Sequence, residues 1–302
     1  MKKNKYMFVF FMLLAIALAG GIFTKVYVSL DGYGQEKQGL YVATSFYPVY
    51  IAALNVAGDS SGIVLENLSE PQTGCMHDYQ LTPQDMILLS KADLFLVNGG
   101  GIENFLAEVG QAYPELTISY TSNGLDLQDG ENAHVWMNTE YYTHMVQNIA
   151  EAFQEADPEH AQTYQANADA YCIKVQALTD EMQKLRECTA GKPVVIFHEA
   201  YEYVAKELGM DVVYCMDLDE ERQVSAGEVA DVMREITENQ VSVVFAEELY
   251  GRDMGDTVEA ETQAEVCYLD TLVRGYYQAD SYLLAVRKNI ETLKRVLDTD
   301  LE

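Results

Sequence analysis

Residues 157–191 read DPEHAQTYQANADAYCIKVQALTDEMQKLRECTAG, and this stretch decides the fold. Asp157 followed by Pro158 makes a helix start, an N-cap with Pro at the first helical position. No further Gly or Pro occurs until Gly191, and Ala161, Ala168, Ile173, Ala177, Met182 and Leu185 recur at roughly helical spacing. Gly191 and Pro193 close the segment. About thirty residues at ~1.5 Å rise make a rod of roughly 45 Å. That is too long for a crossover helix within one α/β layer, so it predicts a helix spanning two lobes.

Short apolar runs flank the rod on both sides. Residues 40–45, 62–65, 94–98 and 116–120 read as strands before it, with helical patterns around 48–57 and 82–91. Residues 194–197, 211–214, 241–245 and 266–269 read as strands after it, and a final amphipathic helix covers about 279–297. Such βαβα alternation implies parallel sheets covered by helices. The expected fold is α/β: two doubly wound parallel-sheet lobes, 39–156 and 191–302, bridged by one long rigid helix over 157–190. A ligand site then belongs in the cleft between the lobes.

Composition narrows the function. The 302 residues suit two compact units, and an apolar share of 49% is enough to bury real cores. The formal charge, 19 − 48 = −29, repels phosphate backbones and argues against nucleic acid as a partner. It favours cations only in general, since a solvated acidic surface explains it as well. The five cysteines (Cys75, Cys172, Cys188, Cys215, Cys267) are widely spaced without a CxxC, and an odd number leaves at least one thiol unpaired. They read as small buried apolar residues.

The N-terminus carries an export signal. Lys2, Lys3 and Lys5 precede an uncharged, mostly apolar run over 7–23, a pattern that keeps the start of the chain in the cytoplasm and the body outside. Residues 1–28 are expected to remain as an uncleaved membrane anchor, with a linker over 29–38. Cleavage near Ala19 is the alternative, because Ala17-Leu18-Ala19 suits a signal peptidase. No cysteine follows the run to carry a lipid.

Only five histidines occur, and three of them sit at or beyond strand ends. His77 follows the second strand, His134 follows the fourth, and His198 ends the first strand of the second lobe. Asp270 ends the last strand of that lobe. Ligands bind outside the carboxyl ends of strands in open α/β sheets, and each lobe supplies two of the four residues. Three imidazoles and a carboxylate suit Zn²⁺ and, less specifically, Mn²⁺ or Fe²⁺. Glu247 and Glu248 follow the strand at 241–245 and are candidates to orient an imidazole. Asn98-Gly99-Gly100-Gly101 fails as a dinucleotide fingerprint because Asn104 holds its last place. His198-Glu199 does not begin an HExxH motif, since Glu202 stands where the second His is needed.

The chain resembles the cluster of metal-binding proteins that serve zinc and manganese ABC importers. The resemblance rests on Ala43-Thr44-Ser45-Phe46-Tyr47-Pro48, His77-Asp78-Tyr79-Gln80-Leu81-Thr82-Pro83, Ala92-Asp93-Leu94-Phe95-Leu96-Val97-Asn98-Gly99, His134-Val135-Trp136-Met137, the rod, Phe197-His198-Glu199-Ala200-Tyr201 and Leu269-Asp270. These run in family order from about residue 40 to the end. The resemblance implies two α/β lobes joined by a long helix, and a metal held at the positions of His77, His134, His198 and Asp270. The third position is typically His in zinc-type members and often Glu in manganese-type ones, so His198 points to zinc. The implied role is a monomeric extracytoplasmic binding protein delivering metal to an ABC permease, not an enzyme. Three features depart from the family pattern. No His-rich loop lies between His77 and His134, Asn138-Thr139 stands where Asp-Pro is common, and Cys75 and Cys267 lie near the ligand positions. Two other classes fit the same residues: a zinc hydrolase, and a surface adhesion or sensor protein.

Overall fold

The computed structural model describes residues 12–14, 39–60, 62–70, 76–77, 79–128, 130–216, 218 and 223–297. Apart from 12–14, the proposed signal or anchor, the linker over 29–38 and Cys75 lie outside the described residues. Among those residues no helix is long and apolar enough to cross a membrane. Leu40–Glu302 forms one compact unit, distinct from Met1–Gly39.

Strand β1 (Leu40–Thr44) opens the first lobe, followed by α1 (Tyr47–Ala57), β2 (Ile63–Asn67), α2 (Pro83–Leu89), β3 (Leu94–Val97), α3 (Leu106–Ala112) and β4 (Thr117–Tyr120). The four strands pair in parallel in the order β2-β1-β3-β4. A 3₁₀ turn at Val135–Met137 leads into α4 (Thr139–Ala156), and a second at Pro158–His160 into the rod α5 (Ala161–Thr189). The second lobe continues with β5 (Pro193–Ile196), α6 (Tyr201–Leu208), β6 (Asp211–Cys215), α7 (Ala226–Glu238), β7 (Val243–Ala246), α8 (Glu248–Glu261), β8 (Glu265–Tyr268) and α9 (Ser281–Val296). Its sheet is also parallel, in the order β6-β5-β7-β8. Both lobes therefore repeat one winding, and each changes direction beside its first strand. The crevice of a doubly wound sheet opens at that switch point.

The rod forms where its sequence places it, with two differences. Asp157 does not cap a backbone N–H with its side chain; its carboxylate accepts from His160 Nδ1 at 2.7 Å and from Tyr164 Oη at 2.6 Å. The buried stripe runs through Tyr164, Ala168, Tyr171, Val175, Leu178, Met182 and Leu185, whereas Ile173 is 72% exposed and Ala177 is also exposed. Both stripes have helical period, but the one with two tyrosines buries more area, and that decides which face turns inward.

One hydrophobic core runs through both lobes. It includes Val42, Phe95 and Leu96 from the first sheet and Tyr171, Leu178 and Leu185 from the rod. It continues into Val194, Ile196 and Phe245 of the second sheet and Leu293 of α9. A smaller cluster covers the other face of the second sheet, with Val195, Phe197, Val244 and Val266 against α7 and α8. Alternation along β5 sends neighbouring residues to the two clusters. A core continuous across the lobes opposes hinge opening, because separating them exposes apolar surface.

Buried polar contacts reinforce the junction. Trp136 Nε1 donates to Thr271 O at 3.0 Å, and Tyr282 Oη donates to Trp136 O at 2.8 Å. Tyr142 stacks on Tyr282 with centroids 3.5 Å apart. Trp136→Phe leaves the buried Thr271 carbonyl without its donor. The metal-free variant is expected to lose about 1–3 kcal/mol in urea unfolding; an unchanged midpoint shows that the bond contributes nothing.

The Asn138-Thr139 departure has a structural use. Asn138 keeps the capping role, its side chain accepting from Tyr141 N at 3.0 Å, since Asn and Asp cap helices equally well. Thr139 donates its N–H to Glu207 Oε2 at 3.1 Å, and its hydroxyl also bonds the Glu207 carboxylate. The same hydroxyl meets Thr179 Oγ1 in the rod at 2.8 Å. Proline has no N–H to give, so this tie among α4, the rod and α6 requires a residue other than Pro here.

Candidate metal centre

His134 lies at the bottom of the site. It follows β4 by a loop, enters the buried 3₁₀ turn, and is only 1% exposed. Asn132 sets its chemistry. The Asn132 amide nitrogen donates to Glu199 O and to Glu202 Oε2, both at 2.9 Å, which leaves its oxygen as an acceptor. That oxygen receives the His134 backbone N–H at 3.1 Å and pairs with Nδ1 at 2.9 Å. Nδ1 therefore carries the proton and Nε2 keeps its lone pair, the tautomer a metal ligand needs. Burial holds the His134 pKa well below the usual imidazole range, and the neighbouring His198 and His77 push it the same way. The ring is neutral at pH 7.

The other predicted residues gather unequally. The rings of His77 and His198 lie 5.1 and 5.0 Å from that of His134. Among the described residues, donor atoms of His77, His134 and Glu199 all lie within 4.8 Å of one another. Glu199 Oε1 is 3.6 Å from His77 Nε2, and it approaches His134 at 3.4 Å on the protonated Nδ1 side of the ring rather than at Nε2. Two ligands bound to one ion at ~2.0–2.4 Å sit at most about 4–4.8 Å apart, so His77 Nε2 and Glu199 Oε1 can share a cation as they stand. His198 is held differently: its Nδ1 accepts the Ala200 N–H at 3.1 Å at the start of α6. That places the proton of a neutral ring on Nε2, so His198 must exchange this bond before it can bind a metal through Nε2.

Asp270 lies outside the three-residue group. Leu272 N donates to Asp270 Oδ1 at 2.7 Å, and Asn289 bonds both the Asp270 N–H and its carbonyl at 2.8 Å. It borders a cavity of about 180 Å³ that Glu247, Arg274 and Lys288 also line. Its neighbours tie it to the histidine side, through Trp136 to Thr271 O and through Tyr201 Oη to Leu269 O at 2.8 Å. Glu247 accepts from Arg274 Nη1 at 2.9 Å, while Glu248 pairs with Arg252 in solvent. Cys267 packs in the core, and burial pushes its thiol up to about 12, so it is protonated at neutral pH.

The sequence reading did not place Glu199 beside His77 and His134, and it gave Asn132 no role. Glu199 directly follows a histidine at a strand end, a signal that was present. Asn132 is recognisable only through partners 67 and 70 residues away.

Two lobes of like winding, a shared core and a cluster of imidazoles and a carboxylate at their junction define a two-lobed solute-binding protein for a cation. The family of the zinc-uptake complex component A, periplasmic (ZnuA), matches residues 42–296, and the chain belongs to it. It is similar to the iron-binding protein YfeA of Yersinia pestis, 30% identical in a 267-position alignment that covers 84% of this chain and 85% of that one. It is also similar to the high-affinity zinc uptake system protein ZnuA of Bacillus subtilis, 26% identical over 93% of each chain. Its fold is shared with the binding protein FpvC of Pseudomonas aeruginosa, solved with Mn²⁺ (TM-score 0.77, 22% identity, 86% of this chain and 98% of that one). The chain is thus a metal-binding, extracytoplasmic substrate-binding protein of the ABC-importer class, and not an enzyme.

Proposed function

We propose that this protein captures one zinc ion between its lobes and delivers it to an ABC permease, working as a monomer. His77, His134, His198 and Asp270 are the proposed ligands, with Glu199 as a further carboxylate. The supporting observation is the buried, neutral His134 with His77, His198 and Glu199 drawn around it. Entry is from the side of His77 and Glu199, whose side chains are 44% and 38% exposed while His134 is closed off beneath them. The shared core leaves capture to the ligand loops rather than to a swing of the lobes. The body is held outside the membrane by residues 1–28.

A second reading, manganese or iron as cargo, is favoured by Glu199. Two imidazoles with carboxylate oxygens form a harder donor set than three imidazoles and one carboxylate. Elemental analysis of protein purified without affinity-tag histidines separates the two. About one zinc per chain is expected, and it should persist when equimolar zinc, manganese and iron(II) are offered together. Manganese or iron in its place retains the role and overturns the zinc assignment. No metal after exposure to each ion removes the reading.

A further inference from the structure

The glycine run that fails as a dinucleotide fingerprint has another use in this fold. Gly99, Gly100 and Gly101 all have left-handed backbone, at φ +87°, +68° and +91°, which other residues rarely adopt. A Cβ on Gly100 would lie 3.0 Å from Ala133 Cβ, so glycine lets the loop press against the residue before His134. At the start of the loop, Asn98 Nδ2 donates to Ala133 O at 2.9 Å. At its end, Asn104 Nδ2 donates to the carbonyl of His77 itself at 2.6 Å. One seven-residue segment therefore grips both histidine-bearing stretches of the first lobe.

Glu103 closes that segment on itself. It is only 3% exposed, and its carboxylate accepts from Asn98 N at 2.6 Å, Gly99 N at 3.0 Å and Ser45 Oγ at 2.8 Å. A buried carboxylate is costly unless its oxygens are satisfied, and these three donors come from the loop's first residues and from Ser45, which directly follows β1. The bonds fix where residue 104 sits relative to residue 98, and so where His77 sits relative to His134.

We propose that residues 98–104 are a clamp that sets the spacing of His77 and His134, with Glu103 and Asn104 as positioning residues for the captured ion. This rests on the reading of His77 and His134 as ligands. Groups hydrogen-bonded to a metal-ligating side chain typically change affinity 10- to 100-fold when removed, and Asn104, which holds the His77 main chain, is expected at the lower end of that range. Asn104 is exposed, so its replacement should leave the fold intact.

The test titrates the full chain with cobalt(II), recording the dissociation constant and the visible d–d spectrum, alongside the thermal midpoint of the metal-free protein. Asn104→Leu is expected to raise the constant ~10-fold and to alter the d–d bands. Its midpoint should stay within about 2 °C, as for an ordinary surface change. Asn104→Gln, which restores a donor, should recover most of the affinity. Glu103→Gln should weaken binding in the same direction, and if it does not fold, the Asn104 pair carries the test. Wild-type affinity in Asn104→Leu, or a loss with an unaltered spectrum, overturns the clamp. Failure of the wild-type chain to bind cobalt(II) overturns the ligand reading beneath it, a separate and recognisable result.

Discussion

His134→Ala is expected to weaken metal binding by roughly 100- to 1,000-fold. Structural zinc sites bind with ~10–16 kcal/mol, which shared among four ligands is about 2.5–4 kcal/mol each, and ~1.4 kcal/mol is tenfold in affinity. His134 should lie at the upper end of that range for two reasons. It is the buried member around which His77 and His198 lie, and Asn132 already holds it in the tautomer that binding needs. Its neutrality also means that binding at this ring displaces no proton at pH 7. Competition against a chromophoric chelator measures the change. Trp136, the single tryptophan, gives a second readout, since its ring lies 5.1 Å from the His134 ring and its fluorescence should respond to the ion. A variant that binds zinc as tightly as the wild type would falsify the placement of the centre at His134.

Glu207→Gln is expected to stabilise the metal-free protein at pH 8 by up to about 3 kcal/mol and to change little at pH 5. Burial raises the Glu207 carboxyl from 4.5 to about 7, against the opposing hydrogen bonds of Thr139. Between those values the folded chain holds a proton that the unfolded chain has released, so stability falls as pH rises through the window. The contribution is whole below about 4.5 and lost above about 7, and a shift of 2.5 units corresponds to roughly 3 kcal/mol. Glutamine reproduces the protonated acid at every pH. Its oxygen accepts the Thr139 N–H and its amide donates to the Thr139 hydroxyl, which still reaches Thr179. His134 acts in the opposite sense: its lowered pKa reduces stability as pH falls below about 6.5. The comparison is therefore between variant and wild type at each pH, by urea unfolding. Parallel midpoints at pH 5 and pH 8 would show that Glu207 does not titrate in this window.

The two-lobed architecture was legible in the chain because its signals are local. Asp157-Pro158, the long interval without Gly or Pro, and Gly191 delimit the rod using neighbours only, and the strands among the described residues follow from short apolar runs. The same holds for the placement of His77, His134, His198 and Asp270 after strands, since a residue's position relative to a strand end is a matter of sequence order. Tertiary structure alone decided the rest, because each point depends on residues far apart in the chain. The inward face of the rod was settled by what packed against it, so Tyr171 turned in and Ile173 out. The carboxylate beside His77 and His134 became Glu199 through the turn that starts α6, while Asp270 came to lie on a cavity wall. The state of His134 was set by Asn132, whose own orientation comes from Glu199 and Glu202 in the other lobe. Ligand types can be read from residue identity, but their spacing and protonation are properties of burial and of hydrogen bonds that exist only once the lobes have closed on a common core.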